Sequence, residues 1–544
     1  MSDEHVTRRW QVPAWVSLSV VVLAAAAVRA SVLFGTNLMP GMNGAYYLVQ
    51  VRAIIEKGHL GEHDMPLIFW LQAGLALVFK AVGRLDLEPA IVLASKLFDS
   101  FVPALAAVPA FLLAMRWPGS KHSVWAGIAA ATLAAFSSGS LSMIGNFQKN
   151  AFGMVLALWC AFCLQQGLAR KSWRYLTLAA FFLGLVGITH IGAFGVTLML
   201  VVLTGIAWAL LVAHKPFRAL MVIAGGAVGI GGLLGLLTLL GDSSRIAKLV
   251  SYLKTPLSLF SYRNVTGIMR GGPGSSGAGS WLSILFFGGL AACTVAVLIW
   301  RRHDVQPWER ALVVSAALLT LFLSSPFLSQ DMSSRFVLMT FAPAVILVGF
   351  LFARGGTVIT RSAVTVVTLA VVLLAVPTVV RSVSSPSIAQ ISYAELQSLQ
   401  AQVPDASTTL VIAQHGLEWW AAWVLHTDVA QPTAVTDADW TTYTSVLYLQ
   451  ETGNGRGFGT GLAGMPGRDG GQPPAGTTFT RPTRPAGTVP VQPGLPSGTA
   501  PGGRGGPGGI TLPSDASTLQ SGTYFTLSRL PTAVTVPGGF GQQP

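Results

Sequence analysis

Hydrophobic residues in this chain come in long unbroken blocks. Apolar runs near 13–34, 90–114, 123–143, 150–168, 175–191, 192–213, 218–240, 281–300, 308–328, 335–353 and 362–380 are good spanning candidates, close to the roughly 20 residues that cross a bilayer as a helix. A further run, 65–82, is shorter, begins with Pro66 and carries Lys80. The first run is too long, and too soon followed by others, to be a cleaved signal peptide, so it reads as a retained helix. Composition agrees: the 544 residues are 52% hydrophobic and 10% charged, with a mean hydropathy of +0.59. Soluble domains carry about 25% charged residues.

Charge decides which span ends share a face. If 65–82 does not cross, one side receives Arg8, Arg9, Arg116, Lys121, Arg170, Lys171, Arg174, Lys215, Arg218, Arg301, Arg302, Arg310, Arg354 and Arg361. The short loops opposite then hold little beyond Lys149 and Arg335. If 65–82 crosses, every later cluster moves outside, against the first two arginines. Cationic loops stay on the cytoplasmic side, so 65–82 is expected to be re-entrant or interfacial. The expected fold is an all-α polytopic membrane domain, 1–380, with about 11 spanning helices. Its amino terminus is cytoplasmic, in the inner or plasma membrane, and its carboxyl terminus is outside. The net charge of +13 then reports loops at lipid headgroups, with no nucleic acid as partner. Cys160, Cys163 and Cys293 fall inside apolar runs and read as core thiols, with neither a disulfide nor a metal.

Four polar segments should therefore meet on the outer face. The first, Gly41 to Trp70, starts with small and polar residues and turns helical, with Tyr46, Val49, Ala53 and Glu56 at helical spacing. It ends in Glu62-His63-Asp64 before Pro66. The others are Gly145 to Asn150, the loop 241–280, and Ser329 to Phe336. Within 241–280, Ile246, Leu249, Val250 and Leu253 make an apolar stripe flanked by Arg245, Lys248 and Lys254, suited to a helix in the headgroup plane or to a plain amphipathic loop. Gly271 to Ser280 reads as a flexible hinge.

From about 381 to 544 the pattern changes to that of a small α/β domain outside the membrane. TTLVIAQHG, VLYLQE and TYFTLSRL read as strands and LEWWAAWVL as an amphipathic helix. Residues about 454–520 are rich in Gly, Pro, Thr and Arg, too poor in apolar surface to fold, and are expected to be a disordered insertion.

With its outer loops placed, the chain resembles the GT-C superfamily of polyprenyl-phosphate-dependent membrane glycosyltransferases, which includes protein mannosyltransferases, aminoarabinose transferases and oligosaccharyltransferase catalytic subunits. The resemblance rests on Asn43, Tyr46, Arg52 and Gly58, then Asp64-Met65-Pro66-Leu67 and Phe69-Trp70 in the first outer loop. Lys96 stands where many members place an arginine, Gly145 to Asn150 is similar to a second acidic motif, and Arg335-Phe336 with Pro343 to a late Arg-aromatic motif. It implies transfer of a sugar from a polyprenyl-phosphate donor to a glycan, lipid or protein acceptor on the outer face, with Arg52 and Asn150 among the residues that bind the substrate or its phosphate.

This chain departs from the family where acids are expected. Asn43 stands at the position of the first-loop catalytic acid, and Gln148 and Asn150 at the carboxylates of the second motif, with Lys149 between them. Amides keep hydrogen bonds but lose the charge that holds a hard divalent cation. A divalent metal cofactor thus stays open with its usual acidic ligands replaced, and no metal site is assigned. The resemblance then implies either altered chemistry or a GT-C-fold protein that binds a lipid-linked glycan or a partner without transfer.

The remaining chemistry has few candidates. Asp64, with Glu62 beside it, is the outer carboxylate best placed as a base; the plainer reading is a solvated cap before Pro66. Lys96 and Asp99 share a helix face, as a structural ion pair or as a phosphate grip with Asp99 orienting Lys96. Lys149 and Arg335, nearly alone on a cation-poor face, are phosphate candidates, Arg335 with bidentate geometry. His190 is a proton shuttle, a sugar contact or a satisfied core histidine. His415, Trp419 and Trp420 are sugar contacts or core. A transporter is disfavoured, since no paired interrupted helices suggest a midplane site.

Overall fold

The computed structural model describes residues 11–117, 123–239, 277–355, 386–432, 434–435, 437–452 and 516–531, with isolated residues or short stretches in 246–260 and 362–383. Its main helices are α1 (Gln11–Phe34), α2 (Gly44–Lys57), α3 (Leu67–Gly83), α4 (Leu87–Phe101), α5 (Ala107–Met115), α6 (Ser123–Phe136), α7 (Gln148–Arg170), α8 (Trp173–Gly187), α9 (Ile191–Ala207), α10 (Pro216–Leu239), α11 (Gly277–Trp300), α12 (Pro307–Leu323) and α13 (Phe341–Arg354). The C-terminal domain adds α14 (Gln390–Ser398) and α15 (Leu417–Leu425).

Among the described residues, 7 stretches are long and apolar enough to cross a membrane, from Ala14–Phe34 to Met332–Arg354. The chain is thus a mostly helical, integral membrane protein. Most residues of the apolar stretches Gln148–Arg170 and Met332–Arg354 are buried within the protein, whereas few of those in Pro216–Leu239 are. The first two form the centre, and α10 presents apolar side chains outward, where lipid replaces protein as solvent. The expected run 362–380 lies largely outside the described residues.

Buried charge ties the bundle at two places. Arg29 of α1 donates from Nε to the Asp99 carbonyl at 2.7 Å, from its second amine to Asp99 Oδ1 at 2.6 Å, and to the Ser140 carbonyl at 3.2 Å. The other carboxylate oxygen accepts from the Gly145 N–H at 2.7 Å. Gly145 has φ +71°, and a Cβ there would meet the Pro40 carbonyl at 2.5 Å, so only glycine fits this turn. Asp99 therefore pairs with Arg29, which corrects the expected pairing with Lys96. At the other place, Glu309 of α12 accepts from Trp117 Nε1 at 2.7 Å and from Arg354 at 2.9 Å.

The helix α3 starts and ends beside α2. Asp64, just before α3, bonds Tyr46, while Glu88, just after it, lies 3.6 Å from Arg52. Tyr46 and Arg52 both belong to the 14-residue α2. A helix whose two ends return to one short helix does not cross to the other face, in keeping with an interfacial element. Arg84→Cys, made in a chain whose native cysteines have been replaced, should react in intact cells with a membrane-impermeant maleimide. Protection until the cells are opened would mean that α3 crosses.

The C-terminal sheet has the order β2-β1-β3-β5-β4. Strands β1 (Thr409–Ala413), β2 (Asp428–Ala430) and β3 (Ser445–Glu451) are parallel, and β4 (Ser517–Ser521) and β5 (Phe525–Leu530) complete it antiparallel. The expected strands and helix are present, while β2 and β4 add to them. β4 takes up the last residues of the expected insertion, and 453–515 lie outside the described residues. So do Arg245, Lys248, Leu249 and Leu253 of the expected headgroup helix. The expected hinge is already helical from Gly277, and 271–276 lie outside the description.

Candidate functional site

The Gly41–Trp70 segment and the turn before α7 meet directly. Asn146 Oδ1 accepts from the Asn43 N–H at 2.9 Å. Lys149, in the first turn of α7, reaches across to Asp64, forming an ion pair with Oδ2. The Tyr46 hydroxyl donates to the same oxygen, and the Met65 N–H donates to Oδ1 at 2.7 Å. Asp64 is 1% exposed and the Lys149 side chain 14%. The ammonium also lies 5.2 Å from the Tyr46 ring centre and 5.7 Å from that of Phe69, in reach of cation–π attraction.

Why Asp64 sits there follows from α2. Gln50, wholly buried one turn after Tyr46, accepts from the N–H groups of Gly61 and Glu62 at 2.9 and 3.1 Å. Its amide donates to the Tyr46 hydroxyl at 3.0 Å and to the Glu62 carbonyl at 2.9 Å. A single glutamine thus folds residues 61–64 back onto the helix. Gly58, at φ +76°, ends α2 in the left-handed turn that starts this return. Tyr47 accepts from the Lys149 N–H at 3.3 Å. Burial raises its phenol well above the ordinary range, with Asp64 adding to the shift, so it stays neutral.

Other expected site residues fall into three groups. His190 caps α9, its Nδ1 accepting from the Ala193 N–H at 3.1 Å. It packs against Gly153, one turn beyond Lys149, and the Ile188 carbonyl accepts from Leu67 N–H at 3.3 Å, so His190 borders the same region. Asn150 is buried in the first turn of α7, and Gln148 is paired with Gln72 at 2.6 Å. Glu62 turns toward the C-terminal domain; burial, then Asp428, raise its acid above the usual range while His63 opposes them. It shares the loop with Asp64 without joining the Lys149 pair in any contact described here.

The second group is built into the fold. Lys96 donates to the Thr36 and Asn37 carbonyls at 2.6 and 3.2 Å, closing the end of α1. Arg52 is buried and donates to the Ala422 and Trp423 carbonyls at 2.6 and 2.7 Å, with its guanidinium 4.8 Å from the Trp423 ring centre. Both were expected to grip phosphate; their donors instead satisfy backbone carbonyls that helix and chain ends leave open. Arg52→Ala should loosen the C-terminal domain, costing about 2–3 kcal/mol for a charged hydrogen-bond pair. Limited proteolysis of the full chain between 381 and 390 should speed up, and an unchanged rate would remove Arg52 as a tether. Arg52→Lys should rescue only partly, since one ammonium cannot reproduce the fork.

Arg335 forms the third. It is exposed on the short helix Gln330–Phe336. The segment touches the same layer, because Met339 packs over Gly192 and the Ser329 N–H bonds the Leu259 carbonyl at 2.7 Å.

A divalent metal does not fit this arrangement. Asp64 has an ammonium on one oxygen, and Gln148 is engaged by Gln72. Among the described residues, no three His, Cys, Asp or Glu side chains converge to hold an ion. An apolar cleft of about 350 Å³ between α1 and α5, lined by Trp15, Leu18, Ser19, Val22, Leu23 and Val108, lies apart from the Asp64 site.

The contacts that sequence reasoning missed are Gln50, Tyr47 and Arg29. Gln50 left a faint signal as a polar residue within the helical stripe, and Arg29 a clearer one as a lone charge inside an apolar run. No protein-family model matches the chain, and neither does any curated protein. Among solved structures, it is similar to ArnT from Cupriavidus metallidurans bound to undecaprenyl phosphate, with a TM-score of 0.47 and 12% identity over 96% of this chain and 99% of that one.

Proposed function

We propose that the protein is a GT-C-type membrane glycosyltransferase, moving a sugar from a polyprenyl-phosphate carrier to an acceptor on the extracytoplasmic face. One observation carries the reading: a buried carboxylate, Asp64, meets a cation, Lys149, from a segment 85 positions away, at an outer layer walled by aromatic rings. The positive-inside distribution of cations supports an outside position for that layer.

Asp64 and Lys149 hold each other in this state. An arriving lipid phosphodiester brings a second anion that competes with the carboxylate for the ammonium; when Lys149 shifts to it, Asp64 Oδ2 is uncovered. Asp64 then accepts the proton of the acceptor hydroxyl, whose oxygen bonds the anomeric carbon. The bond from that carbon to the phosphate oxygen breaks, and the leaving phosphate carries the negative charge that Lys149 stabilises. No step passes through a metal.

The replaced acids favour a second reading, a GT-C-fold protein that binds a lipid-linked glycan without transfer, and the Gln72–Gln148 amide pair supports it. Incubating the purified full-length chain with radiolabelled polyprenyl-phosphate mannose and glucose separates the two. Release of sugar to an acceptor or to water establishes the enzyme; retention of the lipid-linked sugar without turnover establishes the binder.

A further inference from the structure

A second polar cluster adjoins the Asp64 site from the C-terminal domain. β1 ends at Ala413, and the chain turns through Gln414, His415 and Gly416 into α15. β1 is flanked by β2 on one side and β3 on the other, both parallel to it. Connections leave in opposite directions there, and such switch points are where open parallel sheets receive ligands.

The side chains at this point are an unusual set. Glu418 is 1% exposed, and its Oε1 meets His415 Nδ1 and Gln431 Nε2, each at 2.9 Å. Its Oε2 is buried and has no hydrogen-bond partner among the described residues. Leaving a buried carboxylate oxygen without a donor costs about 1–3 kcal/mol or more, so the cluster has a vacancy for one. The His415 ring is about half exposed, and its bond to Glu418 raises its basicity against the effect of burial. Four residues on, partly exposed Trp419 lies edge-on to Tyr46 with ring centres 4.7 Å apart, and the Tyr46 hydroxyl is bonded to Asp64.

An aromatic face beside a planar amide, an imidazole and a carboxylate acceptor suits a pyranose ring, with C–H groups against the indole and hydroxyls donating to the carboxylate. A phosphate is disfavoured by the Glu418 charge, which points to the acceptor sugar over the phosphate-bearing donor. We propose that His415, Glu418, Trp419 and Gln431 form a subsite holding a pyranose unit of an acceptor glycan beside Asp64. The acceptor role rests on the transfer reading above; the sugar binding itself does not.

The test uses the full-length protein in detergent micelles, titrated with methyl α-mannopyranoside and methyl β-glucopyranoside and read by saturation-transfer NMR. At least one glycoside should bind saturably in the millimolar range. Trp419→Ala should weaken it about tenfold, the scale of one lost aromatic stacking contact, and Trp419→Phe should restore most of the loss. Melting temperatures of the variants separate lost binding from lost folding. His415→Ala should weaken binding independently of the Tyr46 contact. Absence of saturable binding for both glycosides, or binding indifferent to Trp419 and His415, overturns the subsite. A fall in affinity for polyprenyl-phosphate mannose in Trp419→Ala, with glycoside binding intact, reassigns the cluster to the donor and overturns it as well. Trp419-dependent glycoside binding in a parent without turnover would sink the transfer reading while retaining the sugar subsite.

Discussion

Asp64→Asn should cut turnover of polyprenyl-phosphate sugars by about 10²–10⁴-fold, the usual contribution of a general base. The substitution is nearly isosteric, although Tyr46 and Met65 now meet different carboxylate oxygens, so the single amide oxygen keeps the Met65 N–H while the amide nitrogen faces the Tyr46 hydroxyl. What it removes is the proton acceptor and the charge facing Lys149. Binding of the lipid-phosphate donor should persist or tighten, because Lys149 no longer has a competing anion. Lys149→Ala should act oppositely, raising KM for the donor and lowering kcat, since the leaving phosphate loses its cation. Turnover by Asp64→Asn within a few-fold of the parent would exclude Asp64 from the chemistry. A similar KM in Lys149→Ala would break the proposed exchange of partners.

The largest stability effect is expected at Arg29. Arg29→Met should destabilise the membrane domain by about 3–5 kcal/mol, because Asp99, wholly buried, is left as a charge without its partner. Asp99 also orders the Gly145 turn that delivers Asn146 and Lys149, so the loss should reach the Asp64 site. The double variant Arg29→Met/Asp99→Leu should recover a large part of the stability, since an apolar pair of similar volume often replaces a buried ion pair at little cost. Thermal unfolding in micelles measures both. Equal melting of the parent and Arg29→Met would show that the pair contributes nothing to folding.

Much of this architecture was legible because lipid imposes long, uninterrupted apolar blocks, and alternate cationic loops sort their ends. That sorting put the Gly41–Trp70 and Gly145–Asn150 segments on one face, but it did not single out the pairing of Asp64 with Lys149. What escaped was the choice of partner among buried charges. Lys96 and Asp99, three apart on one helix face, look like a pair by spacing, yet α1 brings Arg29 to Asp99 and leaves Lys96 for the Thr36 and Asn37 carbonyls. Helical spacing reports only neighbours on the same element, and the competing partner came from another span. Arg52 was misread for a similar reason: its acceptors are main-chain oxygens 370 and 371 positions away, which no side-chain pattern announces. The short edge strand β4 was missed because its partly exposed Ser-Thr-Leu-Gln-Ser sequence follows directly on a low-complexity stretch.

The nine-residue helix α15 touches α2 near both of its ends, through Trp419 on Tyr46 and through its last-turn carbonyls on Arg52. Two such attachments, six positions apart on α2, leave no hinge between these helices. The C-terminal domain is therefore not free to swing away as a lid of its own; any gating movement must carry α2 along.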